Sequence, residues 1–199
     1  MNKYKFFKKT FDLIFSVLFL LVSSPILFFT CIFIKISSPG SILFAQERIG
    51  LNGKPFNLYK FRTMHSNKKS NNWSSTTTAN DPRVFRFGWF LRISKIDEFP
   101  QFINIIKGEM SLIGPRPTVQ EDYDLMNNIQ KERNKVLPGL TGLAQVKGGT
   151  KLLWPEKIEY DLKYIKNRSI ILDLKIIFQT CLLFILFKVS TDPEKSKEW

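Results

Sequence analysis

Asp97 and Glu98 stand side by side, followed at once by Phe99-Pro100-Gln101. Proline suits the first turn of a helix, and Phe99, Phe102, Ile103 and Ile106 recur at helical spacing until Gly108. The spacing therefore predicts a helix starting at the proline, with both carboxylates at its N-terminus. There the unpaired amide groups and the dipole favour an ionised carboxylate and a nearby phosphate. The plainer alternative is that Asp97 only caps the helix. A second candidate is Arg116, set between Pro115 and Pro117 in the run Gly108 to Pro117. Two prolines stiffen the backbone on either side, and a stiffly held guanidinium suits bidentate binding of phosphate. A solvated loop arginine is the competing reading. A third stretch, Pro138 to Gly149, is a glycine-rich loop around a short apolar strand. It lacks the Gly-Lys-Ser/Thr ending of a P-loop and the spacing of a dinucleotide fingerprint.

The elements that must hold these residues are few. A short strand is predicted over Ile42 to Arg48 and another over Phe56 to Met64, separated by a glycine-containing turn. Ser66 to Asp81 is rich in Ser, Thr, Asn and Lys and is predicted to be a mobile loop or lid. The single histidine, His65, cannot build a histidine-rich metal site. Cys31 and Cys181 lie in separate apolar segments and suggest neither a disulfide framework nor a zinc site, so a reducing cytoplasmic setting is expected.

The chain has 199 residues, with 30 Lys+Arg against 17 Asp+Glu and a formal charge of +13. That length holds one catalytic domain and an anchor, and the charge suits anionic partners. The 19 phenylalanines, many of them in two apolar segments, direct the basic surface towards a membrane before nucleic acid. The first segment, Phe11 to Ile34, follows Lys3, Lys5, Lys8 and Lys9 and has about the length of a membrane span. Ser24-Pro25 lies near its middle, and proline there removes a backbone donor and bends a helix. Each arm, at roughly 15–18 Å, is then about half the hydrocarbon thickness. Basic residues flank both ends, so a helix that breaks at Ser24-Pro25 and returns keeps them all on the cytoplasmic side. A proline-kinked span is the alternative. Near the other end, Leu174, Ile177, Phe178, Cys181, Leu182 and Ile185 recur at helical spacing. They suggest an amphipathic helix in the membrane interface or, alternatively, a core helix. The polar tail from Thr191 to Trp199 is expected to be disordered.

Taken in order, these motifs resemble the small monotopic phosphoglycosyl transferases, also called bacterial sugar transferases. The likeness runs through Phe11-Asp12, Ser24-Pro25, Ser38-Pro39-Gly40, Phe44 to Gly50, Lys60 to Met64, Asp81 to Val84 and Arg92 to Gln101. It continues through Gly108 to Pro117, Pro138 to Gly148, and a last segment with Trp154, Asp161, Tyr164, Ser169 and Asp173. Lys95 stands where many members have Ser, and Phe99 where many have Leu.

The resemblance implies an α/β architecture. A small mixed α/β catalytic domain (37–190) would follow a re-entrant membrane helix (1–36) and carry interfacial amphipathic helices, with 191–199 as a tail. It implies a monotopic protein on the cytoplasmic face of a bacterial inner membrane. The activity implied is transfer of a phospho-sugar from a nucleotide-diphosphate sugar, expected to be a UDP-sugar, to polyprenol phosphate. Asp97 would be the catalytic nucleophile and a Mg²⁺ ligand, with Glu98 beside it and a covalent phospho-sugar aspartate between two displacements. Because a carboxylate must approach an anion, charge has to be neutralised, and Lys60, Arg62, Arg92 and Arg116 are the expected phosphate-binding cations. Two rival classes are a non-catalytic adaptor on acidic lipid and a nucleic-acid-binding domain. Neither gives a reason for an acid pair beside fixed arginines, and no nucleic-acid partner is expected.

Overall fold

The computed structural model describes residues 3–65 and 81–186. The expected loop over Ser66 to Asp81, apart from Asp81 itself, and the tail from Thr191 lie outside them.

The first element is a single helix, α1 (Lys3–Ser37). Its polarity is inverted. Asp12, Ser16, Ser23 and Thr30 are buried against the rest of the protein, whereas Phe11, Leu18, Val22, Phe28, Phe29 and Ile36 are exposed. Ser16, Ser23 and Thr30 are seven residues apart, two helical turns each, so they form one inward stripe. An apolar outer face of this length is unfavourable in water and suited to lipid. Among the described residues, α1 is the one helix long and apolar enough to cross a membrane.

The helix runs without interruption through Ser24 and Pro25, where a break was expected. The local chemistry explains this. Pro25 has no N–H to give the Leu21 carbonyl, and Ser24 Oγ donates to that carbonyl at 2.8 Å instead. Ser23 Oγ donates to Phe19 O at 2.6 Å. Hydroxyls thus fill the gap that a proline leaves in an apolar setting.

Both ends of α1 rest on the same body. Near its start, Ser111 Oγ donates to Asp12 at 2.6 Å, and Tyr4 and Lys8 reach Asp173 at 2.9 and 3.1 Å. Phe19 stacks on Phe102 at 4.1 Å. Near its end, the fully buried Ile34 packs with Phe61, Phe85 and Leu91.

The expected strands form an antiparallel hairpin, β1 (Leu43–Ile49) and β2 (Pro55–Phe61), in which Phe44 faces Lys60 and Gln46 faces Leu58. Then come α2 (Arg86–Ile93) and α3 (Gln101–Ile106). A two-stranded parallel pair, β3 (Ser111–Ile113) and β4 (Gly139–Thr141), brackets α4 (Gln120–Asp124). The chain finishes with α5 (Leu143–Lys147), α6 (Trp154–Asn167) and α7 (Ile170–Ile185). The core gathers Leu58, Phe102, Ile105, Leu112, Tyr164 and Ile176 from five of these elements, with Met110 from the loop before β3. On α7, Leu174, Phe178, Cys181, Leu182 and Ile185 of the expected stripe face outward, whereas Ile177 is half-buried against the core beside the buried Asp173 and Ile176.

Candidate active site

The acid pair is carried between two helices that are tightly seated. A Cβ on Gly88 would lie 2.2 Å from the Thr63 carbonyl, so glycine lets α2 cross the end of β2 at backbone contact. One turn on, Arg92 Nε donates to Thr63 Oγ1 at 2.9 Å. The chain then reverses through Lys95, whose φ of 58° is left-handed, and enters a 3₁₀ turn, Ile96–Glu98. On the far side, Asn104 is wholly buried and ties α3 to β2. Its amide donates to the Asn57 carbonyl and Glu109, and its oxygen accepts from the Tyr59 amide.

Asp97 and Glu98 therefore sit in a turn just before α3 and not in its first turn. The amides of Phe102 and Ile103 are already taken by the carbonyls of Phe99 and Pro100, so these two do not call on Asp97 as a cap. Asp97 is 8% exposed, and its Oδ1 has no hydrogen-bond partner. A buried carboxylate oxygen without a partner is costly unless something else meets it.

Glu98 is held differently. Lys60 Nζ from β2 and Arg116 Nη2 both donate to its Oε1, each at 3.0 Å. Burial alone would raise its carboxyl, but Arg116, Lys60 and Lys95 outweigh that and hold it well below the usual range. Burial pushes Asp97 up, and Glu98 adds to the rise while Lys60, Lys95 and Arg92 pull against it. Two neighbouring acids are thus set apart: Glu98 is held ionised and clamped, and Asp97 is buried, raised and left with an unpartnered oxygen. Burial also lowers the pKa of Arg92 and of Lys95.

Arg116 is presented by a loop with a built foundation. The amides of Gly114 and Gly139 pair with the carbonyls of Thr141 and Pro115, each at 2.9 Å. A Cβ on Gly139 would sit 2.1 Å from the Gly114 amide, which is the purpose of the glycine-rich run after Pro138. Below the loop, Arg133 Nη2 donates to the Arg116 carbonyl at 2.8 Å. Arg133 is paired with Asp161 through Nε at 2.9 Å and Nη2 at 2.6 Å, with side chains only 2% and 3% exposed. Arg133 escaped the sequence reading because it stands alone in a polar stretch. Asp161 was visible only through the family resemblance.

Of the expected phosphate-binding cations, Lys60, Arg92 and Arg116 converge on the acid pair, and Arg62 does not join them. Its guanidinium is buried and donates to the carbonyls of Ser38 and Pro39 at 2.5 and 2.6 Å. Those carbonyls follow the end of α1, where orphaned acceptors and the dipole favour a cation. Arg62 ties the C-terminal end of α1 to β2 and the body of the fold.

No cluster of three or more His, Cys, Asp or Glu is present among the described residues. Mg²⁺ needs none, since one or two carboxylates plus substrate phosphates commonly hold it. The buried, unpartnered Oδ1 of Asp97 is the carboxylate oxygen that would hold it.

A family model described as bacterial sugar transferase matches residues 3–187. The chain belongs to that family. It is 40% identical over 181 residues to the UDP-glucose:undecaprenyl-phosphate glucose-1-phosphate transferase of Escherichia coli K12, covering 87% of this chain and 39% of that protein. It is 39% identical over 173 residues to the uncharacterized sugar transferase EpsL of Bacillus subtilis, covering 87% of this chain and 84% of EpsL. It is also 39% identical over 187 residues to the UDP-N-acetylgalactosamine-undecaprenyl-phosphate N-acetylgalactosaminephosphotransferase of Aeromonas hydrophila, covering 89% of this chain and 43% of that enzyme. The chain thus spans most of EpsL and less than half of the two longer relatives.

Proposed function

We propose that this sugar transferase moves a phospho-sugar from a UDP-sugar to undecaprenyl phosphate through a covalent intermediate on Asp97, as the first membrane step in assembling a glycoconjugate. The observation that carries the reading is the division of labour in the acid pair. Glu98 is neutralised by Lys60 and Arg116, while the buried Asp97 keeps an oxygen with no partner.

The steps follow from charge and geometry. The donor diphosphate enters among Lys60, Arg92 and Arg116, which offset its charge and that of the attacking carboxylate. Asp97 attacks the phosphorus bearing the sugar. The bond from that phosphorus to the bridging oxygen breaks, and the nucleoside monophosphate leaves with the electron pair. An oxygen of the polyprenol phosphate then attacks the same phosphorus, the Asp97–phosphorus bond breaks, and the free carboxylate returns. Splitting the transfer lets a water-soluble donor and a lipid acceptor use one site in turn. Mg²⁺ held by Asp97 and the diphosphate would supply further neutralisation of phosphate charge.

The inverted surface of α1 gives the setting. With both ends of α1 packed on one body, a continuous helix that is bent rather than broken at Ser24-Pro25 and stays on one membrane face satisfies the contacts at Tyr4 and Ile34 together. Exposed Leu174, Phe178 and Ile185 on α7 would lie in the interface beside it. The site then faces the cytoplasm, on a bacterial inner membrane, at the height of the acceptor phosphate.

The test is release of nucleoside monophosphate across a panel of nucleotide sugars, with undecaprenyl phosphate and Mg²⁺ present. Release by wild type from at least one UDP-sugar, stopped by a chelator, is expected. No release across the panel would overturn the reading.

A further inference from the structure

Four cations surround the acid pair, and three are engaged by protein groups. Lys60 and Arg116 are both on Glu98 Oε1, and Arg92 is on Thr63. The fourth is Lys95. Its side chain is half-buried, within electrostatic reach of Glu98, Asp97, Arg116 and Lys60. No hydrogen bond or ion pair reaches its ammonium among the described residues, although two carboxylates lie within three positions of it in the chain.

The backbone at this point is also unusual. Lys95 adopts φ 58° and ψ 13°, a left-handed conformation that costs a non-glycine residue on the order of 1 kcal/mol or more. Of the residues described, only Asn52, at the tip of the β1–β2 turn, shares positive φ without being glycine. A lysine at a strained position, with its charge half-buried and no hydrogen bond or ion pair on its ammonium, is placed to take an anion from outside the fold.

We propose that Lys95 is a further substrate-binding residue of this site, its ammonium taking a phosphoryl oxygen of the donor diphosphate beside Asp97. The inference rests on the phosphoglycosyl transferase reading above. It adds a role for a residue that the proposed reaction leaves unused. Lys95 binds through its fixed charge. Lys60 and Arg116 remain shared with Glu98, so Lys95 is the cation that engages the diphosphate without giving up a protein contact.

The experiment is calorimetric titration of the full-length, detergent-solubilised protein with UDP and Mg²⁺, alongside monophosphate release from the UDP-sugar that wild type uses. Lys95→Met should weaken UDP binding about 10-fold or more, the loss of one hydrogen bond to a charged group, and should raise KM for the donor in parallel. Lys95→Arg should keep most of the affinity. Lys95→Gly should melt higher than Lys95→Met, because glycine relieves the left-handed strain, yet bind UDP as poorly as Lys95→Met. That pattern separates the charge from the fold. Wild type that turns over donor while Lys95→Met binds UDP equally well would overturn the inference and leave the function standing. So would Lys95→Gly restoring affinity. A wild type that neither binds UDP nor releases monophosphate would overturn both.

Discussion

The Arg133–Asp161 pair offers a test of how the phosphate site is held. It lies beneath the Arg116 loop, nearly inaccessible to solvent, and Arg133 also donates to the Arg116 carbonyl. Asp161→Leu leaves a buried guanidinium without its counter-charge, and Arg133→Met does the same to the carboxylate. Breaking one side of such a pair costs about 3–5 kcal/mol. In a domain of this size each kcal/mol shifts the melting point by about 2–4 °C, so either single variant should melt roughly 6–20 °C lower. Replacing both by apolar residues of similar volume is often close to neutral, so the double variant Arg133→Met/Asp161→Leu should regain most of that stability. It should not regain activity. The Arg116 carbonyl has lost its donor, and a misplacement of about 1 Å at a catalytic group costs about 10²-fold. The assay is a double-mutant cycle, with thermal unfolding in detergent read beside monophosphate release. A double variant that recovers stability and full turnover together would refute the claim that Arg133 positions Arg116. A double variant as unstable as the singles would refute the charge argument.

Three further outcomes follow. Arg116→Ala should lower the rate about 10²-fold or more, with Arg116→Lys recovering only part, because a point charge cannot reproduce the planar fork; steady-state rates with saturating acceptor check this, and full activity in Arg116→Ala would reduce the loop to a structural turn. Because burial raises the Asp97 carboxyl and only its ionised form attacks, kcat/KM should fall on acidification at a pH above the ordinary aspartate range. The same raised pKa makes the ionised form the costly one in the fold, so Asp97→Asn should melt higher than wild type at pH 7, and a lower melting point would contradict the electrostatic account. Replacing Ser24 and Pro25 by Ala and Leu should convert the returning helix into a span, moving a cysteine introduced at Asn2, in a background lacking Cys31 and Cys181, from protected to labelled by an impermeant reagent; labelling of the parent protein would refute re-entry.

What could be read from the sequence was what is local. The hairpin strands were placed within a residue or so at most ends, except that β2 stops at Phe61. The stiff Pro-Arg-Pro loop and the adjacent acids announce themselves within ten residues of chain. Residues whose partners are distant were hidden or misassigned. Arg62, in a basic run, looked like a phosphate ligand, yet its guanidinium serves carbonyls 23 and 24 positions earlier. Arg133 and Asp161 are 28 apart, and nothing near either marks the pair. Asp12 entered only through the Phe11-Asp12 likeness, and Ser16, Ser23 and Thr30 drew no reading in an apolar run. In the fold they are the contact face, because lipid reverses which side of a helix is cheap to expose. The strained Lys95 was visible only as a departure from related chains, since a positive φ leaves no signature when the residue is not glycine.

The central claim is that Asp97 carries the phospho-sugar, and the intact mass of the protein after brief exposure to donor and Mg²⁺, without acceptor, tests it most directly. The account predicts that wild type gains the mass of one phospho-sugar, that peptide mapping places it on Asp97, and that polyprenol phosphate removes it. Asp97→Asn should gain nothing and retain no more than a few per cent of turnover, since an amide is a very poor nucleophile. Wild type that turns over donor and acceptor together but never acquires that mass, or Asp97→Asn that stays active, would contradict it.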